Sequence, residues 1–241
     1  MAYKYSAYGS HWMGGLRVYH QGGLDCYCGF YAIANLINFL YLKKDLSYLR
    51  NNPDFERDGD FLGANKFEAF NGLIGAGTLN GFFPKGPFGG GEGLDAPRLK
   101  DALSQALSYF KINAQVTIEE DESIYVGDPE QYKCWFRIGA EKPFVNSADN
   151  ALGVACVIED EVDEITHCVV LVGKNHLQNE MDIPPLPGRD WNGIVLDSDR
   201  GYKFWKYDAR DGCLHIQIQG NKKVEDKPMY WVYSFISVRV K

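Results

Sequence analysis

The residues that could do chemistry in this chain are a cysteine, a histidine and a carboxylate, met in that order. In His20-Gln21-Gly22-Gly23-Leu24-Asp25-Cys26-Tyr27-Cys28-Gly29-Phe30, a glycine-bearing loop runs into a Cys-Gly step and then into an apolar pattern of helical period. After Phe30, the residues Ile33, Ala34, Ile37, Leu40 and Tyr41 recur at three- and four-residue intervals. That spacing predicts a helix from about Cys28 to Lys44 with one face in the core. Cys28 then stands at or just before the first turn. Unpaired backbone N–H groups and the positive end of the helix dipole favour an anion there, which lowers the thiol pKa. Gln21 lies seven residues upstream, close enough to fold back and offer its amide beside the sulfur. A thiolate with an amide donor next to it is the start of an acyl-transfer site.

Such a site needs a base and a group to orient it. His167 opens the apolar run Cys168-Val169-Val170-Leu171-Val172-Gly173, directly after the acidic turn Glu159-Asp160-Glu161-Val162-Asp163-Glu164. Thirty residues on, Ile194-Val195-Leu196 ends in Asp197-Ser198-Asp199. If the two runs are neighbouring antiparallel strands, imidazole and carboxylate come within hydrogen-bond reach. The imidazole would pair with the thiolate and later protonate a leaving amine, and the carboxylate would fix its tautomer. Asp197, directly after the apolar run, is favoured over Asp199.

Plainer readings stand beside these. Free cysteines are often core residues, and Cys134, Cys156, Cys168 and Cys213 all lie among strand apolars. Cys26 rivals Cys28 as nucleophile, and Gly29, which leaves room for a substrate carbonyl, favours Cys28. His11 and His20 fall in a polar arm, His176 follows the Gly173 strand end as a reserve base, and His215 reads as exposed between Leu214 and Ile216. A Cys-x-Cys step with His20 but no distant second pair is poor zinc spacing, so no metal is expected.

Positioning falls to the elements around these residues. Residues 1–20 read as a wrapping arm or short strand, and Asn51-Asn52-Pro53 breaks the chain after the first helix. A short helix is predicted over Asn65 to Leu73. Gly75 to Gly93 is glycine-rich and carries Phe82, Phe83 and Phe88; long loops with aromatic content are usually functional or disordered. Asp95 caps a further helix with Leu99, Leu103, Ala106, Leu107 and Phe110 on its inner face. From about Lys111 the texture changes to short β-branched and aromatic runs. These are Val116–Ile118, Trp135–Ile138, Val154–Ile158, His167–Val172, Gly193–Leu196, Tyr202–Trp205, Leu214–Ile218 and Met229–Val240. Helices first and strands after predict an α+β chain with a helical lobe over about residues 1–112, a strand lobe over about 113–241, and a cleft between. Without a repeat or linker, the whole is expected to be one catalytic domain.

The totals narrow the classes. The chain has 241 residues, 45% hydrophobic and 24% charged, with a formal net charge of −7. Without a basic stripe, nucleic acid is not an expected partner. No run approaches a membrane span, and Met1-Ala2-Tyr3-Lys4-Tyr5-Ser6 lacks the apolar core of a secretory signal. Six cysteines without small-scaffold spacing read as reduced thiols. The expectation is a cytoplasmic protein as synthesised, which could be exported only by a route independent of a signal peptide.

Taken together, Gln21 with Cys28-Gly29-Phe30-Tyr31-Ala32, then His167-Cys168-Val169-Val170-Leu171-Val172-Gly173, then Val195-Leu196-Asp197-Ser198-Asp199-Arg200-Gly201 resembles the papain-like cysteine peptidases. The style is that of the bacterial branch that includes bacteriocin-processing peptidases. The order Gln, Cys, His, Asp matches that superfamily and not the ubiquitin-like-protein proteases, whose His precedes the Cys. The likeness covers residues 21–40 and 165–201. Cys28 lies seven residues after Gln21 and Cys26 five, one to either side of the family's usual interval. The resemblance implies a two-lobe fold with the Cys helix packed on an antiparallel sheet or half-barrel. It implies Cys28 as nucleophile, His167 as base and acid, Asp197 as orienter and Gln21 as oxyanion donor. Gly29, Phe88 and Cys168 are then the candidate substrate contacts, and the substrate is a protein or peptide, with no cofactor. Deamidation, acyl transfer, cell-wall amide cleavage and a catalytically silent binding module are the alternatives. A bacterial effector or toxin is the setting by analogy.

Overall fold

The computed structural model describes residues 10–13, 16–19, 28–42, 95–120, 148–158, 166–177, 185–198, 201–208, 213–217 and 227–241. In chain order these form strands β1 (Ser10–Met13) and β2 (Leu16–Tyr19), helices α1 (Cys28–Leu42) and α2 (Ala96–Tyr109), and strand β3 (Ala114–Glu120). Then follow β4 (Leu152–Ile158), β5 (Thr166–Gly173), β6 (Gly193–Asp197), β7 (Gly201–Asp208), β8 (Cys213–Gln217) and β9 (Lys227–Val240). The chain is of mixed α+β type. The expected helix at 65–73, the glycine-rich loop at 75–93 and the strand at 135–138 lie outside the described residues.

The long sheet is antiparallel and runs β3-β9-β4-β5-β6-β7-β8, with β8 also paired to β9. That extra pairing closes β4 to β9 into a ring. Strand β9 makes this possible through its length. Its first residues pair with β8 (Leu214 opposite Tyr230), its middle with β4 (Val154 opposite Ile236) and its end with β3 (Val116 opposite Val238). The register shifts between Cys156 and Val157, where Ser234 and then Val232 are opposed, so Tyr233 is the extra residue of a bulge.

Side chains alternate across a strand, and here both faces are covered. Even-numbered residues such as Val154, Cys156, Cys168, Val170, Ile194 and Leu196 share an apolar cluster with the two helices. Odd-numbered neighbours such as Ala155, Val169, Leu171, Val195 and Trp205 share a second cluster with Leu214 and Phe235. This is why β4 to β6 read as unbroken apolar runs instead of alternating ones. Parity holds along β4 to β7 and breaks on β9, where Val232 and Phe235 share one cluster and Ile236 the other, as the bulge requires.

Helix α1 differs from the one-faced helix its spacing predicts; it is described from Cys28 to Leu42, and residues 43 and 44 lie outside the described residues. Every residue from Gly29 to Leu40 is buried. The hairpin of β1 and β2 packs against α1 as well, with Val18 and Tyr19 in the same apolar cluster. Asn35 ties the two together, its Oδ1 accepting from the Tyr19 N–H at 2.7 Å and its Nδ2 donating to the Tyr19 carbonyl at 3.3 Å. Helix α2 is capped as expected, with Asp95 Oδ1 accepting from the Arg98 N–H at 2.8 Å. Its inner face, Leu99, Leu103, Ala106, Leu107 and Phe110, is buried. The helix closes through Ile112 N–H to the Leu107 carbonyl at 2.9 Å, with Lys111 in the left-handed region at φ 56°.

Candidate active site

Cys28 is the first residue of α1, His167 the second of β5 and Asp197 the last of β6. Strands β5 and β6 are antiparallel neighbours with Val169 opposite Asp197. His167, two residues along, is therefore the diagonal same-face neighbour of that carboxylate. The pairing brings His167 Nε2 to 3.0 Å from Asp197 Oδ1, with side chains 8% and 0% exposed. A ring that spends Nε2 on the carboxylate keeps Nδ1 for the sulfur.

Helix α1 lies across β5 with its N-terminus at the His167 end. Cys28 is half-buried, and Cys168 and His167 both act on its thiol. Its pKa is held well below the ordinary value of 9.0. The Cys168 hydrogen bond does most of this. Burial opposes it, and the hydrogen bond and positive charge of His167 add to the lowering. For His167 burial is the largest single influence and pulls the pKa down. Hydrogen bonds to Asp197 and Cys28, with the charges of both, overcome it and hold the imidazole at about 10. The consistent state is a thiolate beside an imidazolium, which is an activated nucleophile with its own proton donor.

The other candidates divide. Gln21, Cys26, Phe88 and Asp199 lie outside the described residues. Gly29 does not open onto a substrate space. It is buried, and a Cβ there would meet Leu99 Cδ1 at 3.1 Å and Cys168 Sγ at 3.9 Å. The missing side chain lets α1 pack between α2 and β5. Cys168 is likewise not open to a substrate: it is buried, 6% exposed, behind Cys28. Its pKa is driven well up, first by its hydrogen bond with Cys156, then by that with Cys28 and by burial, so it remains a thiol. His176 ends a 3-10 turn (Lys174–His176) that follows β5, beyond roughly 20 Å of extended strand from His167 to Gly173 at about 3.3 Å per residue. Its Nε2 is 2.9 Å from the Asn150 carbonyl oxygen, so it is no reserve base. His215 is buried, not exposed, on β8 between Lys206 of β7 and Pro228 of β9.

Sequence reasoning missed the third thiol of the site. Cys156 lies directly opposite Cys168 in the β4–β5 hairpin, with the sulfurs 4.0 Å apart. Centring that hairpin on Val162, inside the acidic turn, pairs the two cysteines and would have found them. An open cavity of about 390 Å³ lies between α2 and β3, lined by Ser104, Leu107, Lys111 and Val116 among others. It contains none of Cys28, His167 and Asp197. Among the described residues no group of His, Cys, Asp and Glu is arranged to hold a metal ion, and no helix is long and apolar enough to cross a membrane. Comparison with protein-family models, curated proteins and solved structures finds no match.

Proposed function

We propose that this chain is a cysteine-nucleophile hydrolase of papain-like type that cleaves amide bonds in a protein or peptide. The observation that carries the reading is the grouping of Cys28 with His167 and Asp197, in which imidazole and carboxylate are 3.0 Å apart and the imidazole draws down the thiol pKa. It joins a helix start and two strand ends that are otherwise unrelated in sequence. The hydrogen bond on Nε2 supports an imidazole whose other nitrogen serves the thiol. In this reading the helical part and the ring of strands are the two lobes of the papain-like fold.

The chemistry follows from the groups. The Cys28 thiolate attacks the carbonyl carbon, and the developing oxyanion is met by N–H groups at the start of α1 and by the Gln21 amide. His167 gives its proton to the departing amine as the C–N bond breaks, leaving a thioester on Cys28. The neutral imidazole then takes a proton from water, the hydroxide attacks the thioester, and a carboxylic acid leaves as the thiolate is restored. Asp197 keeps the ring oriented and favours its charged form throughout.

A cleavage-site survey in a cell lysate, comparing the wild-type chain with Cys28→Ala, tests the proposal. New peptide termini that depend on Cys28 are the expected result. Labelling with a thiol-directed electrophile should show Cys28 reacting far faster than the other cysteines. Identical termini with both proteins, together with uniform sluggish labelling, would leave a binding module as the reading. Gln21→Ala should lower turnover by ~10²–10³, the usual worth of one oxyanion donor, with little change in KM.

A further inference from the structure

Cys28 has a partner thiol immediately behind it. Of the described free cysteines, Cys28 is half-buried while Cys156 and Cys168 are buried. Cys168 lies on the face of β5 toward α1, within the same cluster against which Cys28 packs. Its sulfur would be 3.9 Å from a Cβ on Gly29, the residue next to Cys28. We propose that Cys168 is a resolving thiol, which converts Cys28 oxidised by a hydroperoxide into a reversible Cys28–Cys168 disulfide.

Exposure sets the order of events. An oxidant in solution meets Cys28 first, and a thiolate is the form that reacts. One peroxide oxygen passes to the Cys28 sulfur as the O–O bond breaks, giving the sulfenic acid and, after protonation, an alcohol or water. The Cys168 sulfur then attacks the Cys28 sulfur. The S–S bond forms, the S–O bond breaks, and the hydroxide leaves as water with the proton of Cys168. In sum one hydroperoxide is reduced and two thiols are oxidised. The sulfurs must close to about 2.05 Å. Cys28 can make that approach because it is the terminal residue of α1, where helices fray. Cys156 is the deeper thiol and needs no contact with the oxidant. The nucleophile is thereby held on the reversible rung of oxidation and silenced while it is held.

The test needs no substrate, so it stands apart from the hydrolase reading. The full chain is treated with about one equivalent of hydrogen peroxide, its free thiols are blocked, and unreduced peptides are mapped by mass spectrometry. A Cys28–Cys168 cross-linked peptide is expected, with loss of Cys28 labelling that dithiothreitol restores. Cys168→Ser should give no cross-link, and its Cys28 should pass to sulfinic acid with labelling that dithiothreitol does not restore. Cys156→Ser should still form the cross-link. A Cys28–Cys26 bridge, or the same sulfinic acid in wild type and Cys168→Ser, would overturn the proposal. If circular dichroism shows Cys168→Ser unfolded, the wild-type map alone decides.

Discussion

His167 is pulled upward by a carboxylate on one nitrogen and a thiolate near the other, and this fixes how the site responds to pH. In the unfolded chain the imidazole titrates near 6.5 and the thiol near 9.0; in the folded chain the imidazole moves to about 10 and the thiol well down. Between about 6.5 and 9 both states bind one proton across the pair, so its contribution to stability is flat. Below 6.5 the unfolded pair binds the extra proton and stability falls with falling pH. Above 9 the folded imidazole keeps a proton the unfolded pair has lost, and stability falls as pH rises through about 10. The melting-temperature difference between wild type and the Cys28→Ala/His167→Ala double variant, which lacks both titrating groups, should therefore be level over that window and shrink on both sides. A difference that grows steadily from pH 6.5 to 9 would exclude the ion pair. Asp197→Ala removes the first hydrogen bond that raises the imidazole. The alkaline limb of Cys28 labelling against pH should then move down from about 10. The types and order of these residues were legible because each opens or ends an apolar run. Cys156 was not, since a cysteine inside such a run looks like any small apolar residue.

At the scale of elements, two positions carry backbone or packing constraints that invite measurement. Lys111 adopts the left-handed conformation at the end of α2, which costs a non-glycine residue roughly 1–2 kcal/mol. Lys111→Gly should raise stability by up to about 1 kcal/mol in urea unfolding, because glycine's unfolded-state entropy offsets part of the relief. Gly29 tests the seam between α1, α2 and β5. Leu99 Cδ1, at 3.1 Å from a Cβ placed there, is the end of a side chain and can yield to Ala. Gly29→Val has no such room and should cost about 1–3 kcal/mol as overpacking, with a parallel drop in Cys28 reactivity as α1 is displaced. Helix and strand positions were legible to within a few residues: α2 with its Asp95 cap, and β4 to β9 as alternating or unbroken apolar runs. The burial of α1 on all sides was not legible from its own spacing. It involves neighbours distant in sequence, among them a hairpin whose four-residue strands carry too few positions to establish a period.

For the whole molecule, Asn35 is the polar tie between the β1–β2 hairpin and α1. Replacing it by Leu leaves the buried Tyr19 N–H without that acceptor, a loss of about 1–3 kcal/mol. Amide exchange of the Leu16–Tyr19 strand should quicken selectively, while that of β5 stays slow. Uniform quickening would mean that the hairpin is an integral part of the global unit. The α+β class was legible in the succession of textures along the chain. The closing of the sheet into a ring was not, because nothing local to β8 or β9 encodes that they pair.

That ring has an order of assembly built into it. Strand β9 comes last in the chain, yet it is the seam for β3, β4 and β8. Its pairing with β3 joins residues such as Thr117 and Ser237, 120 positions apart. Contacts so distant in sequence are slow to form, since loop-closure entropy is lost before they contribute. Until β9 is laid down, three strand edges stand open to one another and to neighbouring chains, the condition that favours aggregation. His167 and Asp197, on β5 and β6, can meet within a local meander long before then. The His167–Asp197 pair can therefore form early in folding, and the wall that steadies it is the last part of the chain to arrive.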